Sequence, residues 1–180
     1  GTMGQAAPGA MTIVETVADA WRVAPPSGPL AYATQTTLGV DETAEIIAVL
    51  QRRFPAMEGP KTADICYATT NRQAAVKSLA PGADLVVVIG SSASSNSKRL
   101  VDVALASGAK AAFLLDDPAA FDLGALKGVS TLGLTSGASA PEHLVEALLA
   151  RLAADRTLVI ETVETAVEDV VFKPPMKLAV

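Results

Sequence analysis

The sequence predicts an α/β fold in which parallel strands are flanked by helices. Short apolar runs of strand length recur along the chain, and each is followed by a polar turn and then by a segment with helical periodicity. Strands that alternate with helices in this way are joined by right-handed crossovers and therefore lie parallel. Because 50% of the 180 residues are hydrophobic, the chain can bury a core between these layers.

Five strands are predicted, each followed by a turn rich in polar residues. The clearest is the segment 84–89, which is apolar from Leu85 to Ile89 and so has the composition of a strand buried on both faces. The others are apolar or β-branched runs of similar length. The predicted strands cover residues 30–34, 64–68, 84–89, 111–115 and 131–134.

The predicted helices follow these turns. The first begins near Asp41, a good N-cap, and ends before Pro55. The last follows Ser139-Ala140-Pro141-Glu142, which matches a capping box. Further helices are predicted after the turns at 69–71 and 90–96 and at Asp116-Asp117-Pro118.

Charge and composition exclude several classes of function. The net charge is −5, from 14 Lys and Arg against 19 Asp and Glu, which argues against a broad surface for nucleic acid or membranes. No apolar run has the length of a membrane span and no signal peptide is visible, so we expect a cytoplasmic protein. Cys66 is the only cysteine, which excludes an internal disulfide and fits a reducing compartment.

The turns after the predicted strands indicate an anion site. In parallel α/β sheets, ligands bind at the carboxyl ends of the strands, where the following helices present free N–H groups. Hydroxyl groups, an amide and these N–H groups can hold a phosphate without a cluster of lysines. The same residue types are the preferred helix caps, so capping alone also explains each turn. The turns contain Thr36-Thr37, Thr69-Thr70-Asn71, Ser94-Ser95-Asn96-Ser97 and Thr135-Ser136-Gly137-Ala138-Ser139.

Two residues with reactive side chains occur once each. Cys66 is predicted near the end of its strand, as either a small buried hydrophobe or a reactive or metal-binding thiolate. One thiol is not a complete metal site, because clusters take several thiolates. His143 falls in the first turn of a helix and is predicted to be a surface residue.

Four ordered motifs resemble those of the 4-hydroxy-3-methylbut-2-enyl diphosphate reductase family, also called LytB. The order and spacing of these motifs match the family, and so do the first five residues and the segment 171–178, so the resemblance covers essentially the whole chain. The motifs are Thr34-Gln35-Thr36-Thr37-Leu38, Asp64-Ile65-Cys66-Tyr67-Ala68-Thr69-Thr70-Asn71-Arg72-Gln73, Ser94-Ser95-Asn96-Ser97 and Gly137-Ala138-Ser139-Ala140-Pro141-Glu142.

The resemblance implies a reductase that removes the 4-hydroxyl of an allylic diphosphate substrate at a 4Fe-4S cluster, giving isopentenyl and dimethylallyl diphosphate. It implies that Cys66 is one of three cysteine ligands of the cluster and that Thr36 lies near the substrate hydroxyl. Thr69 is a further candidate for the same pocket. An external electron donor such as ferredoxin or flavodoxin is also implied. The residues assigned to the diphosphate by resemblance are Ser94, Ser95, Asn96 and Ser139.

The resemblance also implies three similar α/β domains around the cluster. Residues 1–62 correspond to the C-terminal part of the second domain, 63–153 to the third domain, and 154–180 to a tail that wraps back over it. Two further cysteines and a proton-donating glutamate are expected upstream of Gly1. We therefore expect no catalytic residue on this chain, and a missing N-terminal portion as its partner.

Two alternatives stay open at the level of sequence. The chain could be a non-catalytic diphosphate-binding domain, which the single cysteine favours because one thiolate cannot hold a four-iron cluster alone. It could also be a fragment that docks onto a separate N-terminal half.

Overall fold

The residues described by the computed structural model, 2–24, 28–62 and 64–166, form five α-helices and three β-strands. Short 3₁₀ turns connect several of these elements. The helices are α1 (Val17–Arg22), α2 (Val40–Arg53), α3 (Tyr67–Leu79), α4 (Ser95–Ala106) and α5 (Glu142–Asp155). The strands are β1 (Leu85–Ile89), β2 (Ala112–Leu115) and β3 (Leu132–Ser136).

The three strands form one parallel sheet in the order β2-β1-β3. Val87 at the centre of β1 lies opposite Phe113 of β2 and Leu134 of β3. All five residues of β1 are buried. The prediction of an α/β fold with a parallel sheet between helices is therefore confirmed, and the predicted strands at 84–89, 111–115 and 131–134 are confirmed to within two residues at each end.

The core has two halves, one on each face of the sheet, because successive side chains of a strand point to opposite faces. Val86 and Val88 of β1 pack with residues of α3 and α4, such as Val76 and Leu100. The alternate residues of β1 pack on the other face with α5 and the segment before β3, including Leu148. Burial on both faces explains why β1 is an unbroken apolar run.

The prediction of a strand at 30–34 is wrong. Only one bridge forms here among the described residues, between Ala31 and Glu58, with Tyr32 N–H donating to the Glu58 carbonyl over 2.9 Å. A strand needs several consecutive pairs, and the chain turns away at Thr36 and Thr37 before more can form. The apolar run is thus an extended connection that leads to α2.

The prediction of a strand at 64–68 is also wrong. Helix α3 begins at Tyr67, with Cys66 as its N-cap. The Cys66 N–H donates to the Thr36 carbonyl over 3.0 Å, and the Cys66 carbonyl accepts from Thr70 N–H over 3.0 Å, which is the first hydrogen bond of the helix. The predicted turn at 69–71 is therefore part of α3, and Cys66 lies at a helix N-terminus instead of a strand end.

Helix positions were predicted better than helix caps. Helix α2 begins one residue before Asp41 and ends before Pro55, as predicted, but its N-cap is Gly39. Helix α5 follows Pro141, and no side-chain hydrogen bond caps it, so the capping box predicted at 139–142 is wrong. Helix α1 was not predicted, although Thr16 and Asp19 form a complete capping box at its start.

The segment after α5 has no regular structure in its described part, 157–166. Leu158 packs against the core half that contains α5, whereas Val159 and Ile160 are exposed. The rest of the predicted wrapping tail, 167–180, lies outside the described residues. Within the described ranges, no helix is both long and apolar enough to cross a bilayer.

Candidate functional site

The carboxyl ends of β1 and β3 meet at one edge of the sheet, and each is followed by a glycine. The Gly90 N–H donates to the Leu115 carbonyl over 3.0 Å, and the Gly137 N–H donates to the Ile89 carbonyl over 2.8 Å. These hydrogen bonds tie the ends of all three strands together. Helix α4 begins at the same edge, directly after the turn that follows β1, so its free N–H groups lie beside the strand ends.

The first turn of α4 packs into the gap between the two glycines. Ser94 is the N-cap, and its hydroxyl accepts from the Ser97 N–H over 3.3 Å. A Cβ atom placed on Gly90 or Gly137 would lie 2.3 or 2.1 Å from Ser97 Oγ. Neither position can therefore carry a side chain without a shift. We call the group of Gly90, Ser94, Asn96, Ser97 and Gly137 the strand-end site.

Two buried polar side chains of the strand-end site have no partner in the described part of the chain. Asn96 is 5% exposed and Ser97 is 1% exposed. Both Asn96 Oδ1 and Nδ2, and also Ser97 Oγ, are buried and lack a hydrogen bond to any described residue. Most buried polar groups in folded proteins are paired, and each exception calls for an explanation such as a ligand. The Asn96 Nδ2 and Ser97 hydroxyl donors, beside a helix N-terminus, suit an anion.

The predicted residue Ser139 lies in the loop that leads from the strand-end site to α5. The loop turns back on itself, because the Ala140 N–H donates to the Gly137 carbonyl over 3.0 Å. A Cβ atom on Gly137 would lie 3.8 Å from Asn96 Nδ2, so the loop starts beside the Asn96 amide. Ser139 and Ser95 are exposed, and Ser94 is half-buried. The four residues predicted to bind diphosphate thus lie around one edge of the sheet.

Thr36 and Cys66 form a second group, brought together by the backbone. The Cys66 N–H donates to the Thr36 carbonyl over 3.0 Å, and the Asp64 carboxylate accepts from the Thr34 N–H over 2.7 Å. Both Thr36 and Cys66 are exposed, and the Cys66 thiol is free. Exposure excludes the interpretation of Cys66 as a small buried hydrophobe. We call Thr36 and Cys66 the threonine–cysteine pair.

Thr69, the further candidate for this pocket, is only 2% exposed and lies in the first turn of α3. It follows Cys66 by three residues, so both lie near the same end of the helix. His143 is exposed, as predicted. No group of three or more His, Cys, Asp or Glu residues that could hold a metal occurs within the described ranges.

Sequence reasoning missed the role of Gln73, which lies on α3 two turns after Cys66. Gln73 is 1% exposed. Its Oε1 accepts from the Val40 N–H over 2.9 Å, and its Nε2 donates to the Leu38 carbonyl over 2.8 Å. These partners are more than thirty residues away in sequence, so no local pattern could have revealed them. Sequence reasoning also did not single out Ser97, although its motif was recognised.

A separate cleft of about 300 Å³ lies where the start of α2 meets α3 and α4. Two ion pairs cross it: Lys77 with Asp41 at 2.7 Å, and Arg99 with Glu42 at 2.9 Å. None of the predicted site residues lines it. The cleft therefore lies between α2, α3 and α4, apart from the predicted site residues.

One carboxylate far from both groups has a strongly perturbed pKa. The Lys110 ammonium, together with the Thr131 and Ser130 N–H groups, lowers the pKa of Asp84 from 3.8 to about 2. Asp84 precedes β1, at the amino end of the sheet. The strand-end site is at the opposite end, so Asp84 stabilises the entry to β1 and takes no part in the site.

Comparison with known proteins agrees with the motifs. The family model for LytB protein matches residues 1–153. The chain is 52% identical to a 4-hydroxy-3-methylbut-2-enyl diphosphate reductase of Gluconobacter oxydans and 52% identical to that of Hyphomonas neptunium, with 99% of the chain aligned in each case. It covers 54% and 57% of these two proteins, and so spans little more than half of their length.

A solved structure is also similar. It is that of the E-1-hydroxy-2-methyl-but-2-enyl-4-diphosphate reductase from Plasmodium falciparum, with a TM-score of 0.73 and 40% sequence identity. The match covers 79% of this chain and 45% of that one. The family model alone accounts for more than four fifths of the sequence. The chain therefore belongs to the LytB protein family.

Proposed function

We propose that this chain is part of a reductase that converts 4-hydroxy-3-methylbut-2-enyl diphosphate to isopentenyl and dimethylallyl diphosphate in isoprenoid biosynthesis. The reaction takes up an electron pair and a pair of protons, breaks the carbon–oxygen bond at the 4-hydroxyl, and releases that oxygen as water. In this proposal the chain binds the diphosphate of the substrate and contacts one side of the substrate end that carries the 4-hydroxyl. The names of its relatives support this assignment.

The observation that carries the proposal is the unpaired state of Asn96 in the strand-end site. Its amide is almost completely buried, and no described residue pairs with its donor or its acceptor. The N–H groups of the first turn of α4 add positive potential in the same place. Ser94 and Ser95 lie at the start of α4, and Ser139 lies in the loop after β3, at the same edge of the sheet. We assign the diphosphate to this edge of the sheet.

The reacting end of the substrate is assigned to the threonine–cysteine pair. The Thr36 hydroxyl is proposed to contact the 4-hydroxyl of the substrate, and the buried Thr69 to shape the wall beside it. The free, exposed thiol of Cys66 is chemically suited to be one ligand of a 4Fe-4S cluster. When bound, such a cluster supplies electrons to the substrate. In this proposal the chain positions the Cys66 ligand, and Thr36 provides a polar contact for the leaving oxygen.

The remaining parts of the proposed enzyme lie outside this chain. The relatives are almost twice as long, which supports a partner portion. We propose that it lies N-terminal to this segment and supplies the other cysteine ligands and the proton-donating glutamate, within an architecture of three similar domains. Residues 1–62, 63–153 and 154–180 would be the end of the second domain, the third domain and the tail. A cytoplasmic ferredoxin or flavodoxin is the proposed electron donor.

A second candidate function is a diphosphate-binding domain without redox chemistry. The observation that favours it is that Cys66 is the only cysteine of the chain. This candidate keeps the assignment of the strand-end site and removes any role for the threonine–cysteine pair.

The experiment that tests the proposal is co-expression of the chain with the N-terminal portion and anaerobic purification. With the allylic diphosphate and a reduced donor, we expect both products, and a visible absorption band that is absent in Cys66→Ala. Ser139→Ala should raise the dissociation constant for substrate about tenfold or more, because it loses a hydrogen bond to a charged group. The control is Ser78→Ala, at an exposed position on α3. A colourless protein that binds the diphosphate without reducing it would instead support the second candidate.

A further inference from the structure

The connection between Thr36 and α2 is held against α3 at two places. One is the hydrogen bond from the Cys66 N–H to the Thr36 carbonyl, 3.0 Å long. The other is the Gln73 side chain, which bonds to the backbone on both sides of Gly39. Cys66 and Gln73 are seven residues apart, or roughly 10 Å along the helix axis at the usual rise. The connection therefore runs along two turns of α3, fixed at each end.

Gln73 also supplies a cap that α2 lacks. The N-cap of α2 is Gly39, which has no side chain to accept a hydrogen bond from the first N–H groups of the helix. The Val40 N–H would be one of these unpaired donors, and Gln73 Oε1 accepts from it. The other half of the amide, Nε2, holds the Leu38 carbonyl. The contact needs a donor and an acceptor on one planar group, which an uncharged amide provides.

The other contacts that hold this connection are weaker. The Lys77–Asp41 and Arg99–Glu42 ion pairs join α2 to α3 and α4, but their side chains are between 29% and 72% exposed. Exposed ion pairs contribute little because water and salt screen them. Gln73 is almost completely buried, so its two hydrogen bonds are shielded from water. Gln73 therefore makes the best-shielded side-chain contact that holds the connection, alongside the backbone hydrogen bond between Cys66 and Thr36.

We propose that Gln73 is a positioning residue that sets the placement of Thr36 relative to Cys66. The inference rests on the proposed function, in which these two residues flank the reacting end of the substrate. Gln73 reaches neither residue directly. It acts through the short segment between Thr36 and Val40. Gln73 holds the Val40 end of this segment against α3, the helix that follows Cys66. Loss of the amide should release the Thr36 turn while leaving the strand-end site in place.

The test uses Gln73→Met, which keeps the length of the side chain and removes both hydrogen bonds. The control is Gln51→Met, the same change at an exposed position of α2. Amide hydrogen exchange in the 180-residue chain is followed at Val40, Cys66 and Val87. Exchange at Val40 and Cys66 should become about tenfold faster or more in Gln73→Met, with Val87 in the central strand unchanged. The control should change none of the three.

The kinetic measurement separates positioning from stability. In the protein assembled with the N-terminal portion, Gln73→Met should lower kcat by about tenfold or more and leave KM for the allylic diphosphate within about twofold, because the diphosphate contacts are elsewhere. Unchanged exchange at Val40 and Cys66, equal acceleration at Val87, or an unchanged kcat would each overturn the inference. A wild-type assembly without reductase activity would overturn the proposed function instead, and the exchange rates alone would then decide whether Gln73 holds the turn.

A second variant, Gln73→Glu, gives a pH-dependent readout. A protonated carboxyl group can replace the amide as donor and acceptor, whereas a carboxylate can only accept and faces the Leu38 carbonyl. The Val40 exchange rate in Gln73→Glu, divided by the wild-type rate at the same pH, should therefore fall towards one as pH falls, whereas the same ratio for Gln73→Met should stay high. A ratio for Gln73→Glu that does not vary with pH would count against the inference. The titratable groups that line the same cleft, and that are common to all variants, are Asp41, Glu42, Lys77, Arg99 and Asp102.

Discussion

Replacement of Asn96 with leucine is expected to stabilise the chain and to weaken diphosphate binding. Asn96 is 5% exposed, and neither of its side-chain polar atoms is paired within the described part of the chain. Leucine has a similar size and no polar atoms, so the change removes the desolvation cost of the amide. If Asn96 served packing or capping instead, the same change would lower stability. The sign of the change in the free energy of unfolding therefore distinguishes a ligand-binding role of Asn96 from a structural one.

The size of the effect follows from the burial of the amide. A buried polar group without a partner costs about 1–3 kcal/mol. The branched leucine side chain fits an asparagine site imperfectly, and this misfit lowers the free energy of unfolding by about 1 kcal/mol. We therefore expect the free energy of unfolding to rise by up to about 2 kcal/mol, which for a chain of this size raises Tm by up to about 8 °C. Loss of hydrogen bonds to a charged ligand should weaken binding by roughly 10- to 100-fold.

The assay combines thermal unfolding without added anions and calorimetric titration of the chain with inorganic pyrophosphate. The matched control is Ala93→Leu, which introduces the same side chain at an exposed position of the same turn. It removes no buried polar group, so neither Tm nor pyrophosphate affinity should change. If Asn96→Leu lowers Tm, or if its affinity for pyrophosphate stays within about twofold of wild type, the interpretation of the strand-end site is refuted.

Three further predictions concern other parts of the structure. Gly137→Ala should lower the free energy of unfolding by about 1–3 kcal/mol, because the new Cβ would clash with Ser97 Oγ. Adding Ser97→Ala removes that oxygen and leaves Ser97 Cβ 3.3 Å away, so the double variant should recover most of the loss in a denaturant titration. Equal losses with and without Ser97→Ala would contradict this. Asp84 has a folded pKa lowered from 3.8 to about 2, so its stabilisation is present above pH 3.8 and is lost as pH falls through about 2. Wild type should therefore exceed Asp84→Asn in Tm at neutral pH and match it near pH 2, and a difference that does not vary with pH would count against the assignment. Cys66→Ser should leave pyrophosphate affinity unchanged in calorimetry, and a loss of affinity would mean that the two groups of residues form a single anion site.

The sequence allowed the central strand and most helices to be predicted because their signals are local. The run at 84–89 is apolar at every position from Leu85 to Ile89, and burial on both faces of a parallel sheet requires this pattern. Helix α2 was predicted to within a residue at each end, from its periodicity and from Pro55. In these cases the residues of one segment determine its structure.

The wrong predictions concern segments whose structure depends on distant partners. The residues around Cys66 look like a short strand, but no neighbouring strand pairs with them within the described ranges, and the Cys66 N–H bonds to the carbonyl of Thr36, thirty residues earlier. The same holds for the site. Its motif residues were recognised, but the contact of Ser97 with Gly137 and the hydrogen bonds of Gln73 could not be read from any local pattern.

The central claim is that the buried Asn96 amide faces a bound diphosphate, and its side-chain N–H resonances test this directly. The chain contains only two asparagines, Asn71 and Asn96, so the Asn96 pair can be identified by its loss in Asn96→Leu. Inorganic pyrophosphate added to the ¹⁵N-labelled chain should shift the Asn96 pair in a saturable manner, with a smaller effect on the Asn71 pair. Asn96 resonances that do not move while pyrophosphate binds elsewhere on the chain would contradict the assignment of the diphosphate to the strand-end site.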